Sequence, residues 1–135
     1  MNVVLDTNVL VSALKTRGGN CAAILDLALE GDLTLALDER ILAEYERVCK
    51  DPRLTLDAES VRTVLDFVRD SAEFVAPRPL AAVLPDPDDR AFVEVAAKAT
   101  AVLITGNKRH FPSKACAGVC VVSPAEFVDM LRNRC

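Results

Sequence analysis

The stretch Val3-Val4-Leu5-Asp6-Thr7-Asn8 decides the fold. Its first three residues form a short apolar, largely β-branched run, which predicts a strand that is buried on both faces. Asp6 ends this strand, and Thr7 and Asn8 are expected to open a turn before a helix that starts at Val9. A carboxylate at the end of a buried strand is therefore the first candidate functional residue.

Strand-like runs alternate with helical patterns along the rest of the chain. Further strands are predicted at 33–37, 73–75, 101–104 and 118–122, and helices at 21–30, 39–50, 58–69, 90–99 and 125–132. Asp38 and Asp57 are the expected N-caps of two of these helices. Short apolar strands between helices are typical of a parallel sheet covered on both faces, so we predict an α/β fold. Its expected form is a doubly wound, three-layer α/β/α arrangement with a central parallel sheet of about four to five strands.

The composition limits the classes of function that the chain can serve. Its 135 residues are 51% hydrophobic, which suits a single domain over residues 1–135 with a sizeable core. The net charge is −4 and only 4% of residues are aromatic. This balance argues against passive nucleic-acid binding through a basic surface or base stacking. It does not argue against an enzyme whose acidic site binds a cation, because the metal reverses the local charge.

The five cysteines and the start of the chain indicate a cytoplasmic protein that contacts no membrane. An odd number of cysteines does not suggest a disulfide framework, and Asp6 comes too early for the apolar part of a signal peptide. No apolar stretch is long enough to span a bilayer. We expect the cysteines to be small core residues, with Cys135 an exposed thiol.

Oxygen-bearing side chains are predicted to meet at one edge of the sheet. Ligands of open α/β sheets bind beyond the carboxyl ends of the strands, where Asp6 and Asn107 follow two predicted strands. The start of a helix lies at the same edge, and the acids that precede the helix at 90–99 are Asp86, Asp88 and Asp89. Glu44 lies near the start of another helix, beside apolar residues, and can turn towards this edge. Taken singly, each residue also has an ordinary structural explanation as a turn or cap former, so the functional argument depends on their joint placement.

A cluster of carboxylates favours a divalent cation. Mg²⁺ and Mn²⁺ bind oxygen ligands and keep several waters, and without a cation the like charges would repel one another. Such a metal can activate water and stabilise charge on a phosphate. His110 is the only histidine, and no nucleophilic partner for it is evident, so we expect it to cap its loop rather than to touch phosphate.

Four segments in this order resemble the PIN-domain ribonucleases, in particular the branch assigned as toxins of toxin–antitoxin systems. They cover nearly the whole chain, and they are residues 5–10 (LDTNVL), 41–45 (ILAEY), 86–92 (DPDDRAF) and 103–108 (LITGNK). The resemblance implies a sheet with the first strand central, a Mg²⁺ or Mn²⁺ site, and endonucleolytic cleavage of single-stranded RNA. It also implies a small antitoxin protein as partner, and a homodimer.

The resemblance also assigns residues to the site. The implied catalytic residues are Asp6, Glu44, Asp89 and Asn107, of which the first three would bind the metal. Neighbours that could assist or substitute are Asp86, Asp88, Thr7, Asn8 and Thr105. The family often has Asp where this chain has Asn107, which can offer an oxygen but brings no charge.

Phosphate contacts are expected from Lys108 and Arg109, which adjoin the site in sequence, with Lys15 and Arg17 as further candidates. Two alternative functions remain open. The first is a non-catalytic PIN-like module that binds RNA or protein, which Asn107 and the acidic net charge favour. The second is a phosphatase with Asp6 as nucleophile, although that class usually has a second Asp two residues on, where this chain has Asn8.

Overall fold

The computed structural model describes residues 1–81 and 83–133. The strands of this part of the chain are β1 (Asn2–Leu5), β2 (Thr34–Leu37), β3 (Glu73–Phe74), β4 (Val102–Ile104) and β5 (Val121–Val122). They form one five-stranded sheet in the order β3-β2-β1-β4-β5, and every neighbouring pair is parallel. The predicted parallel sheet and the central position of its first strand are confirmed.

The helices of the described residues are α1 (Thr7–Lys15), α2 (Asn20–Leu29), α3 (Glu39–Cys49), α4 (Ala58–Ser71), α5 (Arg90–Ala99) and α6 (Pro124–Arg132). Together with the sheet they form the predicted α/β/α fold. Shorter 3₁₀ turns span Pro52–Leu54, Pro87–Asp89, Lys108–His110 and Ser113–Ala115. The described residues between β3 and the turn at Pro87–Asp89 belong to no helix or strand.

The core is built on β1. Val3 and Val4 are fully buried and Leu5 is 1% exposed, so the strand has an apolar neighbour on each face. Burial of each such side chain stabilises the fold by about 1.5–3 kcal/mol relative to leaving it exposed. The backbone of β1 pairs with β2 on one side and β4 on the other, which places the end of β1 at the middle of the sheet edge.

Helix α1 starts at Thr7, so the expected turn at Thr7 and Asn8 is wrong. Asp6 keeps an extended backbone and is itself the N-cap residue, and its carbonyl accepts hydrogen bonds from Val9 N at 2.9 Å and Leu10 N at 3.4 Å. Asp6 is the single residue between β1 and α1, because it both follows the strand and caps the helix. Its side chain is therefore held between two rigid elements.

The predicted caps of α3 and α4 are confirmed. Asp38 accepts hydrogen bonds from Arg40 N at 3.0 Å and Ile41 N at 3.2 Å, and Asp57 accepts one from Ser60 N at 3.0 Å. Caps of this kind typically contribute about 1 kcal/mol. The cap at Asp38 determines where α3 starts, and so which of its residues faces the edge of the sheet.

The cysteines are only partly core residues. Cys49 and Cys116 are buried, Cys21 is half-buried and Cys120 is exposed, so the expectation is wrong for Cys120. Cys120 directly precedes β5, a two-residue edge strand with limited cover. Cys135 lies outside the described residues. Within the described ranges, no helix combines the length and the apolar character needed to cross a membrane.

Candidate functional site

Asp6 is anchored at the carboxyl end of the two central strands. Leu5 of β1 pairs with Ile104 of β4, and Asp6 N continues the ladder by donating to Ile104 O at 2.9 Å. Thr105, the residue that follows β4, donates its hydroxyl to Asp6 Oδ2 at 2.7 Å. The Asp6 carboxyl group is almost completely buried, yet this hydroxyl holds one of its two oxygens in a fixed position.

Asn8 ties the first turn of α1 to the loop after β4. Its Nδ2 lies 3.3 Å from Asp6 Oδ2, and its Oδ1 accepts a hydrogen bond from Gly106 N at 3.1 Å. A Cβ at position 106 would come 3.3 Å from Asn8 Oδ1, so the close approach of this loop favours glycine. Thr105 Oγ1 in turn accepts from Asn107 N at 3.0 Å. These polar residues brace Asp6 from the side of β4.

Glu44 reaches the same edge from α3. Thr7 Oγ1 donates a hydrogen bond to Glu44 Oε2, and Arg47 Nη2 lies 3.9 Å from the other carboxyl oxygen. The next residue, Tyr45, is buried and donates its hydroxyl to Leu5 O at 2.6 Å. Burial, with the charges of Asp6 and Glu44, raises the pKa of this phenol, so it stays protonated and can donate. This bond locks α3 to the end of β1 and directs Glu44 towards Asp6.

Asp89 reaches the cleft from the end of the Pro87–Asp89 turn, directly before α5. It is buried, and its Oδ2 has no hydrogen-bond partner within the described residues. His110 Nδ1 lies 3.3 Å from this oxygen. Burial of the carboxyl group is the main reason that its pKa is raised to about 6; the charges of Asp6, Asp86 and Glu44 add to the rise, and His110 opposes it.

The same electrostatic stress affects Asp6. Burial, followed by the charge of Glu44, raises the pKa of Asp6, although the hydrogen bonds from Thr105 and from Thr7 N and the charge of His110 act in the opposite direction. Two buried carboxyl groups in the lining of one cleft therefore have destabilised ionised forms. A bound cation would remove this destabilisation, because it compensates both charges at once.

These side chains line an open cleft with a volume of about 500 Å³. The predicted site residues in its lining are Asp6, Thr7, Asn8, Glu44, Asp86 and Asp89. The basic residues in the lining are Lys15, Arg47 and His110. His110 was expected to be a loop cap, and Arg47 is not among the residues that the sequence singles out. The position of His110 depends on how the chain brings distant segments together, so its neighbours in the sequence carry no signal for it. Arg47 follows Glu44 by three residues on α3, and this i,i+3 spacing is the signal that could have found it.

Other predicted residues lie beside the cleft, outside its lining. Asp88 is exposed and lines an adjacent groove. Asn107 is half-buried, and its backbone N–H donates to the Thr105 hydroxyl. Lys108 Nζ binds Glu126 Oε1 at 3.0 Å, and Arg109 is exposed. The position at which this chain has Asn in place of the frequent Asp is thus joined to Asp6 through Thr105 and lies outside the cleft lining.

The cleft fits a hard divalent cation through two carboxylates rather than through a three-ligand group. Among the described residues, no three His, Cys, Asp or Glu side chains form a group that is ready to hold a metal ion. Asp6 and Asp89 nevertheless offer carboxylate oxygens, one of them buried and without a hydrogen-bond partner. Mg²⁺ commonly binds through one or two carboxylates and keeps several waters, so this pair meets its needs. Glu44, held by Thr7, lines the same cleft and adds a third carboxylate to it.

A charged network around the buried Glu94 supports the two acid-bearing helices, and sequence reasoning missed it. Arg40 Nη1 donates to Glu94 Oε1 at 2.8 Å, and its Nη2 lies 2.7 Å from Asp38 Oδ2. The other oxygen of Glu94, which is 4% exposed, accepts from Leu80 N at 2.7 Å. The network joins the start of α3 to α5 and to the segment that leads to Asp89. The signal that could have found it is a lone Glu inside the apolar run of residues 91–96.

Comparisons with known proteins agree with this geometry. The sequence model of the PIN domain matches residues 2–109. The uncharacterized protein MJ1680 of Methanocaldococcus jannaschii is 32% identical over 111 residues, which are 80% of this chain and 72% of that protein.

Solved structures resemble the fold. VapBC2 from Rickettsia felis, bound to a DNA fragment from its promoter, gives a TM-score of 0.60 at 18% identity and covers 91% of this chain and 98% of its own. PAE2754 from Pyrobaculum aerophilum also gives 0.60, at 17% identity, with 98% and 90% covered. FitAcB from Neisseria gonorrhoeae gives 0.57 at 17% identity, with 91% and 98% covered. At these identities the likeness concerns the fold alone.

Proposed function

The chain belongs to the PIN-domain family, and from that premise we propose that it is a divalent-metal-dependent endoribonuclease that cleaves single-stranded RNA. The observation that carries the proposal is the pair Asp6 and Asp89 in the cleft. Both are buried acids with raised pKa values, and one oxygen of Asp89 has no hydrogen-bond partner among the described residues. A protein that keeps such a pair at the edge of its sheet loses stability unless a cation occupies the site.

The proposed ligands of Mg²⁺ or Mn²⁺ are Asp6 and Asp89. The metal, when bound, would supply an activated water and stabilise the charge that develops on the phosphate. Glu44 would accept a hydrogen bond from the attacking water and orient it, while Thr7 holds the Glu44 carboxyl group in place. Asp86, in the cleft lining, adds negative charge that favours cation binding.

Phosphate contacts are proposed from the basic residues that line the cleft, Lys15 and Arg47. Arg47 also lies beside Glu44, where it can bind a phosphate oxygen next to the site of cleavage. Lys108 and Arg109 are less suited to this role than their position in the sequence suggested. Lys108 is paired with Glu126, and neither residue lines the cleft.

The proposal is tested by cleavage of an end-labelled single-stranded RNA pool by purified protein with Mg²⁺ or Mn²⁺. We expect Asp6→Asn to lower the rate by at least about 100-fold, because the variant loses a metal-binding charge while its shape is kept. Asp66→Asn, on the exposed surface of α4, is the matched control and should cleave like the parent chain. Cleavage by Asp6→Asn at the parent rate contradicts the role proposed for Asp6.

A second candidate function is a non-catalytic PIN-like module that binds RNA or protein. Asn107, which brings no charge, and the lack of a ready three-ligand metal group in the described residues favour it. The same assay separates the two candidates. RNA binding without cleavage at high Mn²⁺ supports the second and contradicts the first.

We also propose that the protein is the toxin of a toxin–antitoxin pair. The support comes from the sequence resemblance to the toxin branch and from the similar VapBC2 and FitAcB structures. The expected partner is a small antitoxin protein, and a homodimer stays a prediction that light scattering can measure. Expression of the chain alone should arrest bacterial growth, and co-expression with a short neighbouring reading frame should restore it.

A further inference from the structure

A second groove opens beside the catalytic cleft, between the first two turns of α3 and the start of α5. Its volume is about 480 Å³, and we call it the arginine groove because Arg40, Arg47 and Arg90 line it. Glu44 and Arg47 line both this groove and the cleft. The two depressions therefore adjoin, and a bound chain can pass from one into the other.

Two of its three guanidinium groups are available to a ligand. Arg90 is exposed and forms no ion pair with any residue in the described ranges. The Arg47 side chain is 74% exposed, and its 3.9 Å separation from Glu44 makes a weak pair in solvent. Arg40, in contrast, is already held by Asp38 and Glu94. Arg47 and Arg90 thus carry the ligand-binding capacity of the groove.

The remaining lining shows which part of a ligand the groove can recognise. Phe92, the aromatic member of the lining, is 1% exposed, so no aromatic face is presented for base stacking. Guanidinium groups bind phosphate oxygens in a forked geometry that does not depend on the base. The Glu44 and Asp88 carboxylates also line the groove, so a sugar–phosphate backbone, bound without sequence preference, would lie along Arg47 and Arg90 rather than across the whole lining.

We propose that the arginine groove binds the backbone of single-stranded RNA on one side of the cleavage position, with Arg47 at its mouth and Arg90 further along. This inference rests on the proposed ribonuclease function. It extends the substrate contacts beyond the cleft, and it assigns Arg90 to substrate binding rather than to the stability of α5. RNA too short to reach beyond Arg47 would gain nothing from Arg90.

Fluorescence anisotropy in EDTA with labelled oligouridines of about four and about twelve nucleotides tests the proposal in an Asp6→Asn background, where cleavage is blocked. We expect Arg90→Ala to weaken binding of the longer RNA about threefold to tenfold and to lower its logarithmic salt slope by about 0.7. Affinity for the shorter RNA should not change, and Arg90→Lys should keep most of the affinity for the longer one. The matched control is Arg132→Ala, an exposed arginine at the end of α6.

The outcomes separate this inference from the function on which it rests. Equal affinity of the Arg90→Ala and Arg132→Ala variants for the longer RNA overturns the arginine groove, while cleavage by the parent chain would leave the ribonuclease standing. The groove is equally overturned if Arg90→Ala weakens both RNA lengths alike or weakens only binding of an antitoxin protein. A parent chain that neither binds nor cleaves RNA overturns both.

Discussion

Asp89 and Asp88 are neighbours with opposite surroundings. Asp88 is exposed, whereas Asp89 is buried, and burial together with the charge of Asp6 raises its pKa to about 6. The folded protein therefore resists ionisation of Asp89, while the unfolded chain ionises it near the ordinary value of 3.8. Between these two pH values the unfolded state binds fewer protons than the native state, so stability falls as pH rises through this window.

We predict that Asp89→Asn stabilises the metal-free protein above pH 6 by on the order of 1–3 kcal/mol, because Asn removes the buried charge and keeps the shape. Below about pH 4 the gain should vanish, since the Asp89 carboxyl group is then protonated in both states. Urea denaturation in EDTA at the two pH values measures it, with Asp88→Asn as the control. If the gain in the free energy of unfolding persists unchanged at low pH, the buried charge of Asp89 is not what destabilises the parent protein.

At the scale of elements, the two helices that bear the acids are held in place by side chains outside the cleft lining. Tyr45 fixes α3 to the end of β1 through its bond to Leu5 O. Glu94 of α5 accepts hydrogen bonds from Arg40, in the first turn of α3, and from Leu80 N, in the segment that precedes α5. The relative position of Glu44 and Asp89 thus depends on polar contacts between elements as well as on apolar packing.

Glu94→Ala is expected to lower the free energy of unfolding by about 1–3 kcal/mol, because it leaves Leu80 N without its acceptor and Arg40 with one carboxylate fewer. Arg40 is half exposed and can be solvated, which limits the loss. Glu94→Gln keeps an acceptor for Leu80 N and should lose less. Chemical denaturation measures both against Glu30→Ala, an exposed carboxylate that should change stability by less than about 0.5 kcal/mol. Equal stability of Glu94→Ala and Glu30→Ala would contradict the network's role.

For the whole molecule, the site joins segments from both ends of the chain. Asp6 and His110 are more than a hundred residues apart in sequence, yet both line the cleft. A ligand that bridges such segments stabilises the native state as a whole, because the unfolded chain does not present the site.

We predict that Mn²⁺ or Mg²⁺ raises the melting temperature of the parent chain by several degrees. At 100 times Kd the stabilisation is about 2.7 kcal/mol, which is large for a chain of this size. EDTA should reverse the rise, and Asp6→Asn should abolish it, whereas Asp66→Asn should not. A rise of equal size in Asp6→Asn would place the bound metal elsewhere on the protein.

Most of the fold follows from local patterns in the sequence. The apolar run of residues 3–5, the caps at Asp38 and Asp57 and the alternation of strands with helices predicted the parallel sheet, and the family resemblance added the central place of its first strand. These patterns can be recognised locally because an apolar run and a helix cap each involve residues close in sequence. Together with the resemblance, they singled out Asp6, Glu44 and Asp89 as site candidates.

Only the tertiary structure decided which neighbours of these acids matter. Arg47 and Lys15 line the cleft, while Lys108, beside the site in sequence, turns to Glu126. Glu94 is buried in a polar network within an otherwise apolar pattern. Asp6, by its sequence alone an ordinary strand-end acid, owes its raised pKa to burial and to Glu44. These outcomes depend on the rotation of each helix and the path of each loop, which long-range packing determines. The lone Glu in the apolar run of residues 91–96 marks Glu94 as unusual, but its partners Arg40 and Leu80 lie in other segments of the chain.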